Sequence, residues 1–440
     1  MADKNSILME KIVSLAKRRG FIFPGSEIYG GLANSYDFGP LGAELFRNIK
    51  NLWWKYFVHM RDDMVGVEGP IIMNPKVWEA SGHLTNFTDP MVECKICHIR
   101  FRKDKLDEVK AHEAVHKGKK VEWTDPKNFN LLFKTFIGAV EDEKSAVYLR
   151  GETAQTMVTD FKLVLETTRR KLPFGIAQIG KSFRNEITTG NFLFRLKEFS
   201  IAELEYFVKP GEDEAAFEEW LKYEEMFFTK VLGLNKKNIR PVDLPKEDLA
   251  HYSKRTVDWY YNFPFGWDEF AAVANRTDYD LKNHIKHSGK DLFYKDPFTN
   301  EKFVPYIVEP TFGMERMMMA VLIDAYTEEK DRVVLKLNTN LAPYNVAVFP
   351  LLKNKPELVK KAREIYDDLR KDFVTAWDDR GNVGKRYFSQ DEIGTPYCMT
   401  VDFDSLEDKK VTIRDRDTMK QERVSIVELK SYLQNKIPNA

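Results

Sequence analysis

Net charge is the first thing this sequence lacks: 68 Lys and Arg balance 68 Asp and Glu, for a formal charge of zero. Bulk electrostatics therefore carry no sign of a nucleic-acid partner, which would need basic residues gathered on one face. Cysteine is scarce, three in 440 residues, too few for a disulfide framework. No window holds the roughly 18 to 20 apolar residues of a membrane helix, so no membrane partner is expected. Residues 1–20 mix Ile7, Leu8, Ile12, Val13 and Leu15 with Lys and Arg. That is the pattern of an amphipathic helix and not of a signal peptide, and a cytoplasmic protein is the expectation. The two familiar phosphate-binding glycine motifs, GxxxxGK[ST] and GxGxxG after a strand, are missing too.

What is present suits a soluble globular chain too long for one core, with two domains and an insertion. Leu41 to Met60 has the spacing of an amphipathic helix, followed by an extended segment, Met64 to Met73, broken at Gly69-Pro70. Residues 93–145 are rich in Lys, His and Asp and read as a surface insertion. Strand-like runs follow at 146–149, 175–179 and 199–207, the last after a turn-rich stretch at Thr188-Thr189-Gly190-Asn191. Residues 212–230 have helical spacing, 268–274 and 305–309 are extended, and Pro310 and Gly313 are expected to open a helix over 314–326. Beyond Asn345, strands at 346–349, near Phe388 and at 397–403 alternate with a helix over 356–373, which implies a separate α/β module.

Three segments stand out chemically. Phe183-Arg184-Asn185-Glu186 and Arg195-Leu196-Lys197-Glu198-Phe199 flank a turn, so two paired strands would bring Arg184 and Arg195 to one side with Phe199 between them. Glu309 to Arg316 reads as strand, turn and helix, with Arg316 on the helix. Arginines hold phosphate oxygens bidentately and an aromatic ring stacks on a base. Taken alone, each segment is equally an ion pair or a helix-face arginine, and the residues by themselves stop at a phosphate site on an antiparallel sheet.

In order and spacing, the segment 41–73, the pair around Arg184 and Arg195, and the Glu309–Arg316 segment resemble motifs 1, 2 and 3 of class II aminoacyl-tRNA synthetases. The wording Arg184-Asn185-Glu186-Ile187-Thr188 resembles the glycine-specific members in particular, as do Leu149 to Gln155, Ala274 to Asp278 and Gln390 to Pro396. The match spans about 21–427. It implies an α+β chain: a class II catalytic domain over 1–340, an antiparallel sheet flanked by helices with insertions near 93–145 and 208–262, and an α/β anticodon-binding domain over 341–440. It implies glycine, ATP, Mg2+ and tRNA(Gly) as partners, and a homodimer through the motif 1 region.

The resemblance also assigns roles. Arg184 would hold the α-phosphate and Arg195 and Arg316 the β- and γ-phosphates, with Arg184 and Arg316 the catalytic pair. Glu186 would face the adenine edge and Phe199 stack on its ring, with Asn185, Phe194, Glu269, Phe270 and Gly313 completing the nucleotide site. Glu269 and Glu309 are the magnesium candidates. For glycine, Glu152, Glu203 and Glu309 would take the ammonium and Arg276 and Arg102 the carboxylate, with Phe199 and Thr311 as neighbours. Gly151, Thr156 and Thr311 stand where proline, glycine and serine are usual in the family, and the extra methyl of Thr311 would tighten exclusion of larger amino acids.

Cys94-x2-Cys97 with His112-x3-His116 approximates the ligand spacing of a structural Cys2His2 zinc site. A surface insertion with two free thiols and solvated histidines is the alternative. Two other functions fit parts of the pattern: a non-catalytic, nucleic-acid-binding relative, disfavoured by the three retained arginines, and a class II enzyme for another small amino acid, disfavoured by the three pocket glutamates.

Overall fold

A computed structural model describes residues 4–437 other than 104, 105, 118, 188 and 189. Met1 to Asp3 of the expected N-terminal helix, and Thr188 and Thr189 of the expected turn, therefore lie outside the described residues; the helix runs Lys4–Arg19. At the centre is a seven-stranded sheet. In chain order its strands are β1 (Met64–Gly66), β2 (Phe174–Phe183), β3 (Glu198–Val208), β4 (Ile239–Asp243), β5 (Arg255–Phe263), β6 (Gly266–Thr277) and β7 (Tyr306–Gly313). Side by side they run β4-β5-β6-β7-β3-β2-β1. Every pair is antiparallel except β1 on β2. Five helices pack against this sheet or frame its polar side: α1 (Pro40–Trp54), α2 (Ala154–Thr159), α3 (Asp213–Met226), α4 (Tyr279–Ser288) and α5 (Met314–Ala325).

Period-two alternation divides the sheet into two unlike faces. Ala202, Leu204 and Tyr206 of β3, with Val308 and Phe312 of β7, join one apolar core with α1, α3 and α5. Trp53 of α1 meets Phe312 edge-on at 5.6 Å. The opposite face presents Gln178 on β2, Glu203 and Glu205 on β3, and Glu309 and Thr311 on β7, with Glu203 paired to both Gln178 and Thr311. At one end of this second face Phe207 and Ile307 pack under Met157 of α2 and Leu281 of α4. The polar remainder is where the sheet can do chemistry on a polar ligand.

Several expectations need correcting. Pro310 does not open a helix: it lies inside β7 opposite Val273 of β6, and α5 starts at Met314. A helix occupies Val383–Ile393, so no strand forms near Phe388; its Asn382 side chain accepts from the Lys385 N–H and Gly394 ends it at φ 86°. The short strand of that module is Thr375–Trp377, three residues too few to leave a periodic signal. The extended run 146–149 pairs with Lys134–Phe136 outside the central sheet. Residues 208–262, expected as an insertion, contribute α3 and the edge strands β4 and β5 of the main sheet.

From Val346 a second sheet begins, in the order Thr375–Trp377, Val346–Pro350, Tyr397–Val401, Lys410–Asp415, Gln421–Ser425. Its first three strands are parallel and the last two antiparallel. One carboxylate clasps it to the chain before it. Asp391, fully buried, accepts from Arg332 at 2.8 Å and from Arg414 at 2.8 and 3.0 Å. Arg416 adds donations to the carbonyls of Gly394 and Leu337, both at 2.7 Å. Removing the carboxylate strands two buried guanidinium groups, so Asp391→Ala should cost about 3–5 kcal/mol. Urea unfolding reads this directly, and a loss below about 1 kcal/mol would mean that the clasp does not hold the module.

Candidate active site

A cleft opens where β3 begins and β7 ends. Arg184, Arg195 and Arg316 line it together with Glu186, Phe199 and Glu269, so tertiary folding gathers the three arginines found by spacing. Arg184 follows the end of β2. Its N–H bonds the Lys197 carbonyl at 2.9 Å, its Nε donates to the Gly151 carbonyl at 3.1 Å, and its guanidinium lies 5.1 Å from the Phe87 ring and 5.3 Å from the Phe199 ring. Arg316, on the first turn of α5, donates from Nε to the Phe194 carbonyl at 3.0 Å and from Nη1 to the Glu269 carbonyl at 2.8 Å and carboxylate at 3.1 Å. A Cβ on Gly313 would sit 3.2 Å from Arg316 Cδ, so glycine there leaves the arginine room to fold back. The Arg195 carbonyl is held by Asn34 at 3.0 Å.

Not every expected nucleotide contact reaches the cleft. Phe194 lines it and lies 4.3 Å under the Arg316 guanidinium. Phe270 is buried, 4.7 Å from Phe228 in the core, because adjacent strand residues face opposite ways and Glu269 takes the cleft side. Asn185 is tied by its N–H to the Leu131 carbonyl at 2.8 Å and is not in the lining.

Beneath the cleft floor lies a buried ionic cluster. Arg276, 1% exposed, sits at an irregularity of β6 between Asn275 and Thr277, where an extra residue re-aims a side chain. It grips Glu309 at 2.8 and 2.9 Å and Asp280 at 2.7 and 3.0 Å. Glu152 is 3.7 Å from its Nη2, and the Tyr252 ring stacks 3.8 Å away. Glu152 also meets His83 Nε2 at 3.2 Å and the Gln155 amide at 2.9 Å. Glu203 accepts from both the N–H (2.6 Å) and the hydroxyl of Thr153. Five carboxylates, Glu152, Glu203, Glu205, Glu309 and Asp280, thus surround one guanidinium. Burial would raise all of them; His83 and Arg276 outweigh it at Glu152, and Arg276 does so at Asp280. Burial and the Glu152 charge leave Glu203 raised. Burial lifts Glu309 to about 8 against the pull of Arg276, and burial beside Glu309 holds Glu205 far above the carboxylate range. Neither oxygen of Glu205 finds a hydrogen-bond partner among the described residues. This is an anionic well, short of positive charge.

The well and the cleft adjoin through one ladder pair: Thr311 lines the cleft and is paired with Glu203. The structure thus gathers Glu152, Glu203, Arg276 and Glu309. Arg276 is engaged by two carboxylates, and Glu309 turns both oxygens to Arg276, so of the two magnesium candidates only Glu269 lines the cleft. Arg102, on the short strand Arg100–Arg102, pairs with Asp89 at 2.9 Å and is not among the residues lining the cleft. Of the departures, Gly151 supplies the carbonyl that holds Arg184, and Thr156 packs where a Cβ on Gly69 would meet it at 2.4 Å.

Sequence reasoning missed His83, Tyr252, Asp258, Asp280 and Glu205. Two left a signal: Glu205 is two residues from Glu203 on a strand, hence on the same face, and Asp280 lies just past the Ala274–Asp278 motif. Asp258 lies near Glu269 and is raised to about 8, chiefly by burial and then by the Glu269 charge. His83 and Tyr252 come from segments without a motif.

With this geometry in hand, comparison with known proteins is specific. Residues 135–325 match the tRNA synthetase class II core domain (G, H, P, S and T), and residues 345–436 match the anticodon binding domain. The chain is 52% identical to the glycine–tRNA ligase of Alkaliphilus oremlandii, over 98% of each chain. It is 50% identical to that of Caldanaerobacter subterraneus subsp. tengcongensis (98% of this chain, 99% of the relative) and to that of Geobacillus thermodenitrificans (99% of each). The fold is a class II core followed by an anticodon-binding domain, and the chain belongs to the glycine–tRNA ligase family.

Proposed function

We propose that the chain activates glycine with ATP and transfers it to tRNA(Gly). The observation that carries this reading is the junction of three arginines in an open cleft with a carboxylate-rich well, through Thr311 and Glu203. The cleft offers phosphate-binding charge and the well takes a small ammonium. An oxygen of the glycine carboxylate attacks the α-phosphorus, the bond to the β-phosphate oxygen breaks, and pyrophosphate leaves. Arg184 neutralises charge at the α-phosphate, Arg195 and Arg316 hold the leaving pyrophosphate, Phe199 stacks on adenine and Glu186 meets its edge. Positioning and charge neutralisation supply most of the rate. Arg276, engaged by Glu309 and Asp280, acts as a positioning residue that fixes the wall of the ammonium side. Mg2+ fits Glu269, with Asp258 near, since hard carboxylate oxygens suit that ion and its charge would relieve the raised Asp258.

The remaining parts of the reading are a catalytic unit over 1–340, an anticodon-binding unit over 341–440, a homodimer through the motif 1 region and a cytoplasmic location. No helix among the described residues is long and apolar enough to cross a membrane.

ATP–pyrophosphate exchange with each of the twenty amino acids tests the reading: glycine alone should support it. In the same assay Arg184→Ala should lose about 10²–10³-fold in rate, the cost of removing a preorganised charge from a transition state. Exchange at the parent rate in a folded Arg184→Ala protein would remove Arg184 from the mechanism.

Ammonium binding to partly protonated carboxylates expels protons, so glycine should bind more tightly as pH rises. With Glu309 at about 8, the glycine KM should fall about tenfold per pH unit for each proton released below that value. A KM that stays flat between about pH 6 and 8 would show the well to be fully ionised beforehand.

Thr311 faces the junction, so its methyl group removes space beside the glycine α-carbon. Thr311→Ser should raise alanine kcat/KM and Thr311→Gly should raise it more, by roughly ten- to two-hundredfold. Glu203→Gln should instead weaken glycine and alanine alike. If Thr311→Gly rejects alanine as strongly as the parent, the wall lies elsewhere.

A further inference from the structure

Residues 95–130 hold a helix, Leu106–Val115, and strands Arg100–Arg102 and Lys127–Asn130, yet over 95–103, 109–117 and 119–130 no apolar side chain is buried. Val115 of the helix is 71% exposed and Ile99 51%. A piece of chain this size with no core needs another source of cohesion, which in small folds is a disulfide or a metal. Cys94 and Cys97 are both free thiols, and a stretch of such composition would not order itself by hydrogen bonds alone.

Cohesion comes at one point. Cys94 follows the strand Thr88–Glu93, Cys97 lies on the turn after it, and His112 and His116 are one helical turn apart. Their ligand atoms all lie within 4.8 Å of one another. Cys94 Sγ is 3.7 Å from His116 Nε2, Cys97 Sγ is 3.3 Å from His112 Nε2, and the two Nε2 atoms are 3.1 Å apart. A tetrahedral zinc with bonds of about 2.3 Å to sulfur and about 2.0 Å to nitrogen has ligand–ligand edges of roughly 3.3–3.8 Å. The observed separations are close to those edges, and two thiolates with two imidazoles suit zinc over a hard cation.

The same strand leads to the cleft. Its partner strand pairs Thr88 with Asn130, the Leu131 N–H bonds the Phe87 carbonyl at 3.0 Å, and the Leu131 carbonyl takes the Asn185 N–H at 2.8 Å. Phe87 itself lies 5.1 Å from the Arg184 guanidinium, and a Cβ on Gly151 would touch Phe87 and Leu132 at 3.0 and 3.1 Å. One end of the hairpin is therefore tied at Cys94 and the other is keyed to the arginine that faces the nucleotide.

We propose that Cys94, Cys97, His112 and His116 bind one zinc ion that stands in for the missing core of residues 95–130 and, through the strand Thr88–Glu93, positions Phe87 and Leu131 against Arg184 and Asn185. The second half rests on the cleft being the ATP site; the first does not. The ion is structural, with four protein ligands and no open coordination position, and takes no part in the chemistry.

Three measurements on the full-length protein test this: zinc content by elemental analysis, tryptic cleavage within 95–130, and the ATP KM in glycine-dependent exchange. The parent and Cys97→His, which keeps a ligand in place, should carry about one zinc per chain and resist cleavage. Cys97→Ser should lose the zinc, be cut within 95–130, and raise the ATP KM by about three- to tenfold as the Phe87–Arg184 contact loosens. Stripping the parent with a chelator should reproduce these changes, and added zinc should reverse them, which separates metal loss from misfolding of a variant. A parent purified without zinc that does not take it up would overturn the site. A stripped parent that keeps its ATP KM would overturn the coupling while leaving the site. A parent with zinc and protease resistance but no glycine-dependent exchange would instead overturn the proposed reaction.

Discussion

One buried guanidinium sets the terms for the rest of the site. Arg276 sits among five carboxylates, and its two bidentate grips hold β6, β7 and α4 together at a single point. Taking such charges out of water is costly, and the attraction repays it only when geometry and hydrogen bonds are nearly complete. They are complete on the Asp280 and Glu309 sides and incomplete at Glu205, whose oxygens have no hydrogen-bond partner among the described residues; burial raises both Glu203 and Glu205. A small cation entering there meets acceptors that the protein itself has not satisfied.

Selectivity and catalysis then divide between the two ends of the same strands. β3 runs from Phe199 at the cleft to Glu203 and Glu205 in the well, and β7 runs from Glu309 in the well to Gly313 beneath Arg316. A ligand with an ammonium at one end and a carboxylate at the other fits that polarity, its carboxylate directed toward the arginines. The Arg184 guanidinium is held by the Gly151 carbonyl, and that of Arg316 by the Phe194 and Glu269 carbonyls together with the Glu269 carboxylate at 3.1 Å. A carbonyl orients a guanidinium without neutralising it, so the Arg184 charge is the less compensated of the two.

The apolar face of the sheet supplies the rigidity this requires. Large rings from α1, the turn that follows it (Lys55–His59), α3 and the strands interlock there, among them Trp53, Phe57, Trp220 and Phe312. Buried on one side and polar on the other, β3 and β7 resist register slips, because a one-residue shift would exchange Glu203 and Leu204 between the polar face and the core.

The sequence by itself determined the class of chain, the order of its segments and which three arginines meet in the cleft, because motif residues are close in sequence and their wording is specific. It also determined β2, β3, β6 and β7 to within a few residues, since an extended apolar run is a local property, but not β5, which fell within and just past the expected insertion. Tertiary structure decided the rest. Whether Pro310 ends a strand or sits inside one depends on neighbours β6 and β3; whether Phe388 is strand or helix depends on the caps at Asn382 and Gly394. The pocket partners His83, Tyr252 and Asp280 come from three separate segments, and no local pattern records that they meet. Charge state followed the same division: the glutamates could be read off the chain, but which of them keep a proton depends on burial and on distance to Arg276, quantities that exist only once the chain has folded.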